Sequence, residues 1–139
     1  MLTVIEKVIL LQSIDIFSEV PTEQLASLAA ITEEASFAAG ENIFHENDFP
    51  DALYVVVEGQ VRLHRDGVEI SVAKEGDAFG TWALLDDEPR VAGATVDTET
   101  RLLRIDREDF IDLLADHVQI VQGVLKMVVR RLRRLIGRI

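Results

Sequence analysis

The pattern of apolar and polar residues changes twice along this chain of 139 residues. In the first third, apolar residues recur at helical spacing, which predicts two short helices. The stripe of the first comprises Ile5, Val8, Ile9, Gln12 and Ile16; the second begins at Pro21-Thr22-Glu23 and presents Leu25, Leu28, Ala29 and Ile31.

From Ala35 to Ile105 the chain consists of short apolar runs separated by glycine and Asn/Asp turn signals. The predicted strands are Tyr54–Val57, Val61–His64, Val68–Val72 and Leu102–Ile105. Asp66-Gly67 between two of these runs predicts a tight hairpin. Turn signals every 8 to 12 residues favour a small antiparallel sandwich or barrel.

The last third, from about Asp106, returns to a helical pattern and ends in a long helix. Its apolar residues alternate in spacings of three and four, which is typical of a heptad seam of about three repeats. The seam comprises Val118, Val121, Leu125, Val128, Leu132, Leu135 and Ile139, and Ile111 and Leu114 extend the phase backward. Two readings remain open: pairing with a second copy in a homodimer, or packing on the chain's own domain.

Composition limits the possible architectures. A chain that is 48% apolar suffices for one domain with a real core, so we expect a single domain with helices at 1–34, a β region at 35–105 and helices at 106–139. There is no cysteine, no run of 18 apolar residues and no basic leader with a cleavage site. We therefore expect a cytoplasmic protein.

Charge is divided unequally along the chain. The net charge is −11, yet residues 1–116 hold all 25 acidic residues and eight basic ones, whereas residues 117–139 hold six basic residues and no acidic one. The acidic part repels polyanions, so any anionic ligand requires a local positive site.

The stretch FGTWALLDDEPRVAGATV, Phe79 to Val96, offers such a site. Gly80 permits close approach of the backbone to an anion, and a short helical turn at 81–85 directs N–H groups toward it. Arg90, fixed by the preceding Pro89, supplies a bidentate fork for phosphate oxygens.

Further signposts occur in a specific order, and together they resemble the cyclic-nucleotide-binding domains of bacterial transcription regulators, cyclic-nucleotide-dependent kinases and gated channels. They are Phe37-x-x-Gly40-Glu41-x-Ile43-Phe44, Glu46-x-Asp48, Asp51-Ala52-Leu53-Tyr54-Val55-Val56-x-Glu58-Gly59, Gly76-Asp77-x-Phe79-Gly80, Pro89-Arg90 and Ile105-Asp106-Arg107-x-x-Phe110. The resemblance covers nearly the whole chain. It implies a mainly β fold, a double-stranded β-helix or jelly-roll-like β-roll, with two helices before it and a short and a long helix after it.

The resemblance also implies a ligand site for cAMP or cGMP, with no further cofactor and no metal. The residues implied for the ligand are Phe79, Gly80, Thr81, Trp82, Ala83, Arg90, Val91 and Ala92, with Val128 and Arg131 as a possible cap on the base. Members of this family that act as transcription regulators dimerise through the C-terminal helix.

The chain departs from the family pattern at several positions of the site. Thr81 stands where the family usually has an acid that accepts a hydrogen bond from the ribose 2′-hydroxyl, and Val91 stands where regulators often have a hydroxyl residue. Asn47 and Pro50 replace common glycines, and Trp82 replaces an aliphatic residue. Losing a charge-assisted hydrogen bond costs about 1.5 to 3 kcal/mol, so we expect weakened rather than abolished binding.

Catalysis is not expected. His45, His64 and His117 lie in different predicted elements, and the sequence has no nucleophile elbow, Walker loop or dinucleotide fingerprint. The chain ends at Ile139 without a helix-turn-helix segment, so we expect a stand-alone module without direct DNA binding. Two functions remain: a sensor that couples cyclic nucleotide to the C-terminal helix, or a degenerate domain that pairs subunits or serves a larger effector or membrane protein.

Overall fold

The computed structural model describes residues 1–137. Its helices are α1 (Val4–Gln12), α2 (Thr22–Ala30), α3 (Arg107–Ala115) and α4 (Val118–Ile136), and two 3₁₀ turns span Asp15–Phe17 and Thr81–Leu84. The strands are β1 (Thr32–Phe37), β2 (Asn42–Phe44), β3 (Ala52–Glu58), β4 (Gln60–Arg65), β5 (Val68–Lys74), β6 (Ala78–Phe79), β7 (Gly93–Val96) and β8 (Thr100–Asp106). The chain forms two compact units: a β unit, Thr32–Phe110, and a helical unit made of residues 1–31 and the chain from Ile111 onward.

The β unit contains two antiparallel four-stranded sheets. Their strand orders are β1-β8-β3-β6 and β2-β7-β4-β5. A core of alternating inward side chains fills this unit: Phe44, Ala52, Tyr54, Val56, Val61, Ala73, Phe79, Ala94, Val96 and Leu102. These sheets and the flanking helices confirm the predicted β-roll.

The predicted hairpin at Asp66-Gly67 is present between β4 and β5. Both residues have positive φ, 52° and 75°, as the tight turn requires. The four predicted strands correspond to β3, β4, β5 and β8, each longer by two or three residues. The β region begins at Thr32 rather than Ala35, and β1, β2, β6 and β7 were not predicted individually because they are short or polar.

Helix α1 does not bury the predicted stripe. Ile5 and Ile9 are 72% and 62% exposed, whereas Leu11 is fully buried. Since most of VIEKVILLQ is apolar, its buried face could not be identified from spacing, and the helix ends at Gln12, so Ile16 lies in the following 3₁₀ turn. Thr3 begins the helix with a capping box that it forms with Glu6. Helix α2 buries Leu25, Leu28 and Ala29, as predicted.

Helix α4 buries Ile120, Gly123, Val124 and Met127, a face that borders the predicted seam on the side of Val121 and Val128. Of the seam residues, Val118, Leu125, Leu132 and Leu135 are exposed and Val121 and Val128 are half-buried, while Ile139 lies outside the described residues. The expected continuation of the seam through Ile111 and Leu114 is wrong, because α3 ends at Ala115 and α4 begins a new helix at Val118.

Candidate ligand-binding site

The β unit contains a cavity of about 480 Å³ with a mostly apolar lining. Such a volume suits a small organic ligand. The lining consists of Phe44, Pro50, Leu63, Gly80, Thr81, Trp82, Ala83, Asp86, Glu88, Pro89, Arg90, Val91 and Ala92.

Gly80 forms the start of the 3₁₀ turn at Thr81–Leu84 and requires the absence of a side chain. Its φ of 70° lies in the left-handed region. A Cβ atom at this position would lie 2.5 Å from Nη1 of Arg90 and 3.4 Å from the carbonyl oxygen of Ala52. Gly80 therefore leaves the space that the guanidinium group occupies.

Among the described residues of the cavity lining, Arg90 is the only charged one that is buried, with 7% of its surface exposed. Its Nη2 donates to the carbonyl oxygen of Ala52 at 2.7 Å and to Oδ1 of Asp51 at 3.2 Å. The guanidinium carbon lies 4.0 Å from the centre of the Phe44 ring, within cation–π distance. The buried Nε has no hydrogen-bond partner among residues 1–137. A buried unpaired donor of a charged group is costly, so Nε would gain from an anionic oxygen, which reaches it once the side chain shifts, because the atom has almost no exposed surface.

The loop that precedes β3 fixes the backbone of Arg90. The N–H of Asn47 donates to the carbonyl oxygen of Arg90 at 2.8 Å, and the N–H of Arg90 donates to the carbonyl oxygen of Asp48 at 2.9 Å. Asn47 has φ 69°, a left-handed conformation that asparagine tolerates. This loop therefore keeps the sharp turn without glycine, while Pro50 contributes to the cavity wall.

A network of charges lies beside the cavity. Asp51 accepts a second ion pair, from Nη2 of Arg104 at 3.3 Å, and Nη1 of Arg104 pairs with Asp106 at 3.4 Å. Burial opposes the charge of Arg104, but its hydrogen bond to Tyr54 and the nearby carboxylates of Asp51 and Asp106 outweigh this effect and raise its pKa above the ordinary value. Arg104 is therefore a cation held in place by two carboxylates.

The remaining lining is polar at only a few points. Thr81 offers a neutral hydroxyl, and Trp82 is 50% exposed at the cavity wall. Asp86 and Glu88 are exposed carboxylates on the loop between the 3₁₀ turn and Arg90. These acids oppose a ligand with several negative charges, whereas a single charge can bind at Arg90.

The structure brings most of the predicted site residues together. Gly80, Thr81, Trp82, Ala83, Arg90, Val91 and Ala92 line the cavity. Phe79 does not; it is 3% exposed in the core and stacks on Tyr54 with 5.4 Å between ring centres. Val128 and Arg131 belong to the helical unit, where Arg131 donates to the carboxylate of Asp15.

Sequence reasoning missed several residues of this site. Phe44 and Asp51 appeared only as family signposts, yet one packs on the guanidinium of Arg90 and the other pairs with it. Leu63, Asp86 and Glu88 were not singled out. The inward face of β4 could have indicated Leu63, because its neighbour Val61 at the same face is fully buried.

Two negative observations hold for residues 1–137. No group of three or more His, Asp or Glu side chains is arranged to hold a metal ion. No helix in this part of the chain is long and apolar enough to cross a membrane.

Comparison with known proteins places the cavity in context. The family model of the cyclic nucleotide-binding domain matches residues 34–117. The chain is 32% identical over 124 residues to a CRP-like cAMP-activated global transcriptional regulator of Mycobacterium tuberculosis, covering 86% of this chain and 55% of the relative. It is 36% identical over 106 residues to a cAMP-dependent protein kinase regulatory subunit of Emericella nidulans, covering 75% of this chain and 26% of the relative.

Solved structures with the same fold are found in similar proteins. The N-terminal domain of a transcriptional regulator from Streptomyces coelicolor superposes with a TM-score of 0.85 at 34% identity, covering 91% of this chain and 92% of that one. The catabolite activator protein of Thermus thermophilus superposes with a TM-score of 0.70 at 28% identity, covering 87% and 59%. The chain spans about half the length of the bacterial regulator that it matches, and a quarter of the kinase subunit. By its matched family model and its relatives, the chain belongs to the cyclic nucleotide-binding domain family.

Proposed function

We propose that the β unit is a ligand-sensing regulatory module that binds a 3′,5′-cyclic nucleotide, cAMP or cGMP, in its 480 Å³ cavity. The observation that carries the proposal is the buried guanidinium of Arg90, whose Nε has no hydrogen-bond partner among the described residues. A cyclic phosphate has one negative charge and oxygens that match this donor. The names of the bacterial and fungal relatives, which refer to cAMP, support the same ligand class.

The cavity offers the phosphate three kinds of interaction. Nε of Arg90 donates a charge-assisted hydrogen bond, and Nη1 lies on the side of the guanidinium that Gly80 leaves open. The left-handed Gly80 lets the N-terminal N–H groups of the 3₁₀ turn face the same anion. Asp51 competes for Nη2 at 3.2 Å, so the ligand must displace or share this carboxylate.

The sugar and base would occupy the less polar part of the cavity. Thr81 offers the ribose a neutral hydroxyl instead of a carboxylate, and Phe44, Pro50, Leu63 and Trp82 supply apolar and aromatic surface. A base-capping role for Val128 and Arg131 stays a prediction; in this structure Arg131 donates to Asp15. The choice between adenine and guanine depends on contacts that the lining residues do not define.

Calorimetric titration with cAMP and cGMP tests the proposal. The wild type should bind one nucleotide per chain; Arg90→Ala should lose binding, and Thr81→Glu should bind about 10- to 100-fold more tightly because a carboxylate returns to the sugar. Val68→Thr, at an exposed position of β5 outside the cavity lining, serves as the matched control, because it leaves the site unchanged and should bind as the wild type does. Absence of binding by both the wild type and Thr81→Glu at millimolar nucleotide would refute the proposed function.

Coupling to the C-terminal helix is the second part of the proposal. The ligand can shift the arrangement of α4 only by binding two arrangements with different affinity. Hydrogen exchange of α4 amides with and without saturating cAMP measures this coupling. If the exchange rates along α4 are the same with and without cAMP, the β unit binds nucleotide but does not couple it to α4.

A pairing function is favoured by a separate observation on the helical unit. One face of α4 carries Val118, Leu125, Val129, Leu132 and Ile136, all at least 45% exposed, opposite the face that is buried within the chain. From Leu125 onward these residues are spaced by four, three and four, and the face differs from the predicted seam in that Val129 and Ile136 replace Val121, Val128 and Leu135. In such a heptad Lys126, Arg130 and Arg133 fall outside the contact positions. We propose that this face forms a homodimer.

Sedimentation equilibrium tests the homodimer. Leu125→Lys combined with Leu132→Lys should convert the dimer into a monomer, whereas Gln119→Lys adds a charge to the same helix away from this face and should have no effect. A dimer that persists in the double variant rules out this face as its interface. The single-domain organisation, the cytoplasmic location and the absence of direct DNA binding stay predictions.

A further inference from the structure

A chain of ion pairs connects the cavity to the beginning of α3. Arg90 pairs with Oδ1 of Asp51 at 3.2 Å, and Arg104 pairs with the other oxygen of the same carboxylate at 3.3 Å. Arg104 also pairs with Oδ2 of Asp106 at 3.4 Å, and Oδ1 of Asp106 accepts the N–H of Asp109 at 3.0 Å, the bond that caps the first turn of α3. Each of these residues belongs to the β unit.

Arg104 reaches the cavity by a second contact as well. It is the cross-strand partner of Tyr54, and Tyr54 stacks on Phe79, the residue directly before Gly80. With 23% of its side chain exposed, Arg104 is better shielded from water than either carboxylate that it holds. Its position at the junction of both contacts distinguishes it from an ordinary surface ion pair.

We propose that Arg104 is a positioning residue that couples phosphate binding at Arg90 to the first turn of α3, through Asp51 and Asp106. The inference rests on the proposed function, because it assumes an anion at Arg90. It adds to that function a route by which occupancy of the cavity alters the helix that follows the β-roll.

The direction of the coupling follows from the charges. Two carboxylates, Asp51 and Asp106, share the guanidinium of Arg104, and Asp51 is also shared between two arginines. An anion at Arg90 repels Asp51 and replaces it as an acceptor, so Asp51 keeps Arg104 as its only cation in the network. Arg104 then moves toward Asp51 and releases Asp106, which loosens the cap on Asp109.

A thermodynamic cycle tests this coupling by calorimetry with cAMP. Asp106→Asn retains an oxygen for the N–H of Asp109 but removes the charge that competes for Arg104. We expect it to tighten binding by about fivefold, and to have no effect beyond about twofold when Arg104→Gln is also present. Glu58→Gln is the matched control, because it removes a carboxylate paired with another arginine of β8, Arg101 at 3.2 Å, and should leave affinity unchanged.

Hydrogen exchange at the Asp109 amide supplies a readout that a purely structural role would not change. Saturating cAMP should speed its exchange about fivefold in the wild type and leave it unchanged in Arg104→Gln. The inference is wrong, and the proposed function stands, if nucleotide binds but Asp106→Asn changes the cAMP affinity by the same factor with and without Arg104. The same holds if cAMP does not change the exchange rate of the Asp109 amide. If neither the wild type nor Thr81→Glu binds, the proposed function fails, and the inference fails with it.

Discussion

Gly80→Ala perturbs the centre of the site by a single methyl group. Gly80 has φ 70°, and its added Cβ would lie 2.5 Å from Nη1 of Arg90. A left-handed backbone costs a non-glycine residue about 1 to 2 kcal/mol. The overlap costs a further 1 to 3 kcal/mol or so, because Arg90 cannot yield without lengthening its 2.7 Å bond to the carbonyl oxygen of Ala52.

Gly76→Ala separates these two costs. Gly76 has φ 88°, but nothing lies within 4 Å of a Cβ added there. The free energy of unfolding of this control should therefore fall only by the cost of the left-handed backbone, about 1 to 2 kcal/mol, and the control should bind nucleotide as the wild type does.

Urea denaturation and cAMP titration of the same samples provide the measurements. Gly80→Ala should be less stable than Gly76→Ala by about 1 to 3 kcal/mol and should bind at least about tenfold more weakly. Equal stability of the two variants, together with wild-type affinity in Gly80→Ala, would refute the argument that Gly80 makes room for the guanidinium.

Two further predictions concern Gly123 and Trp82. Gly123→Ala should destabilise the protein by about 1 kcal/mol in urea denaturation, because its Cβ would lie 2.8 Å from Val20 Cγ2 and 2.9 Å from the carbonyl oxygen of Glu19. Alanine normally stabilises a helix by about that amount relative to glycine, so a more stable variant would contradict this packing. Trp82, the single tryptophan, is half-exposed on the cavity wall, so its fluorescence emission should shift to shorter wavelength on addition of cAMP; an unchanged spectrum at saturation would place the ligand away from this wall.

Local signals were sufficient to predict the order of helices, antiparallel β region and helices, and the family resemblance supplied seven of the cavity-lining residues. Glycine and Asn/Asp turns delimited the strands, and Asp66-Gly67 defined its hairpin through the positive φ angles that such a turn needs. Gly80 and Arg90 were identified because the chemistry of phosphate binding demands those residue types. Both line the same cavity.

Contacts between residues of different helices, strands and loops could not be predicted in the same way. The uniform apolarity of α1 concealed Leu11 as its buried residue, and no pattern within α4 indicated that Gly123 meets Val20. The pairing of Arg90 with Asp51 joins residues 39 positions apart, and no local pattern encodes it. The family resemblance placed Phe79 among the ligand residues, but strand alternation turns its side chain into the core.

The most direct test of the central claim is the NMR signal of the Arg90 Nε–H group during titration with cAMP. We predict that the signal moves in proportion to occupancy and that the proton exchanges more slowly at saturation, because the unpaired Nε acquires a phosphate oxygen as its acceptor. A signal that stays unchanged while cAMP saturates the protein would contradict the account, since the phosphate would then be bound elsewhere.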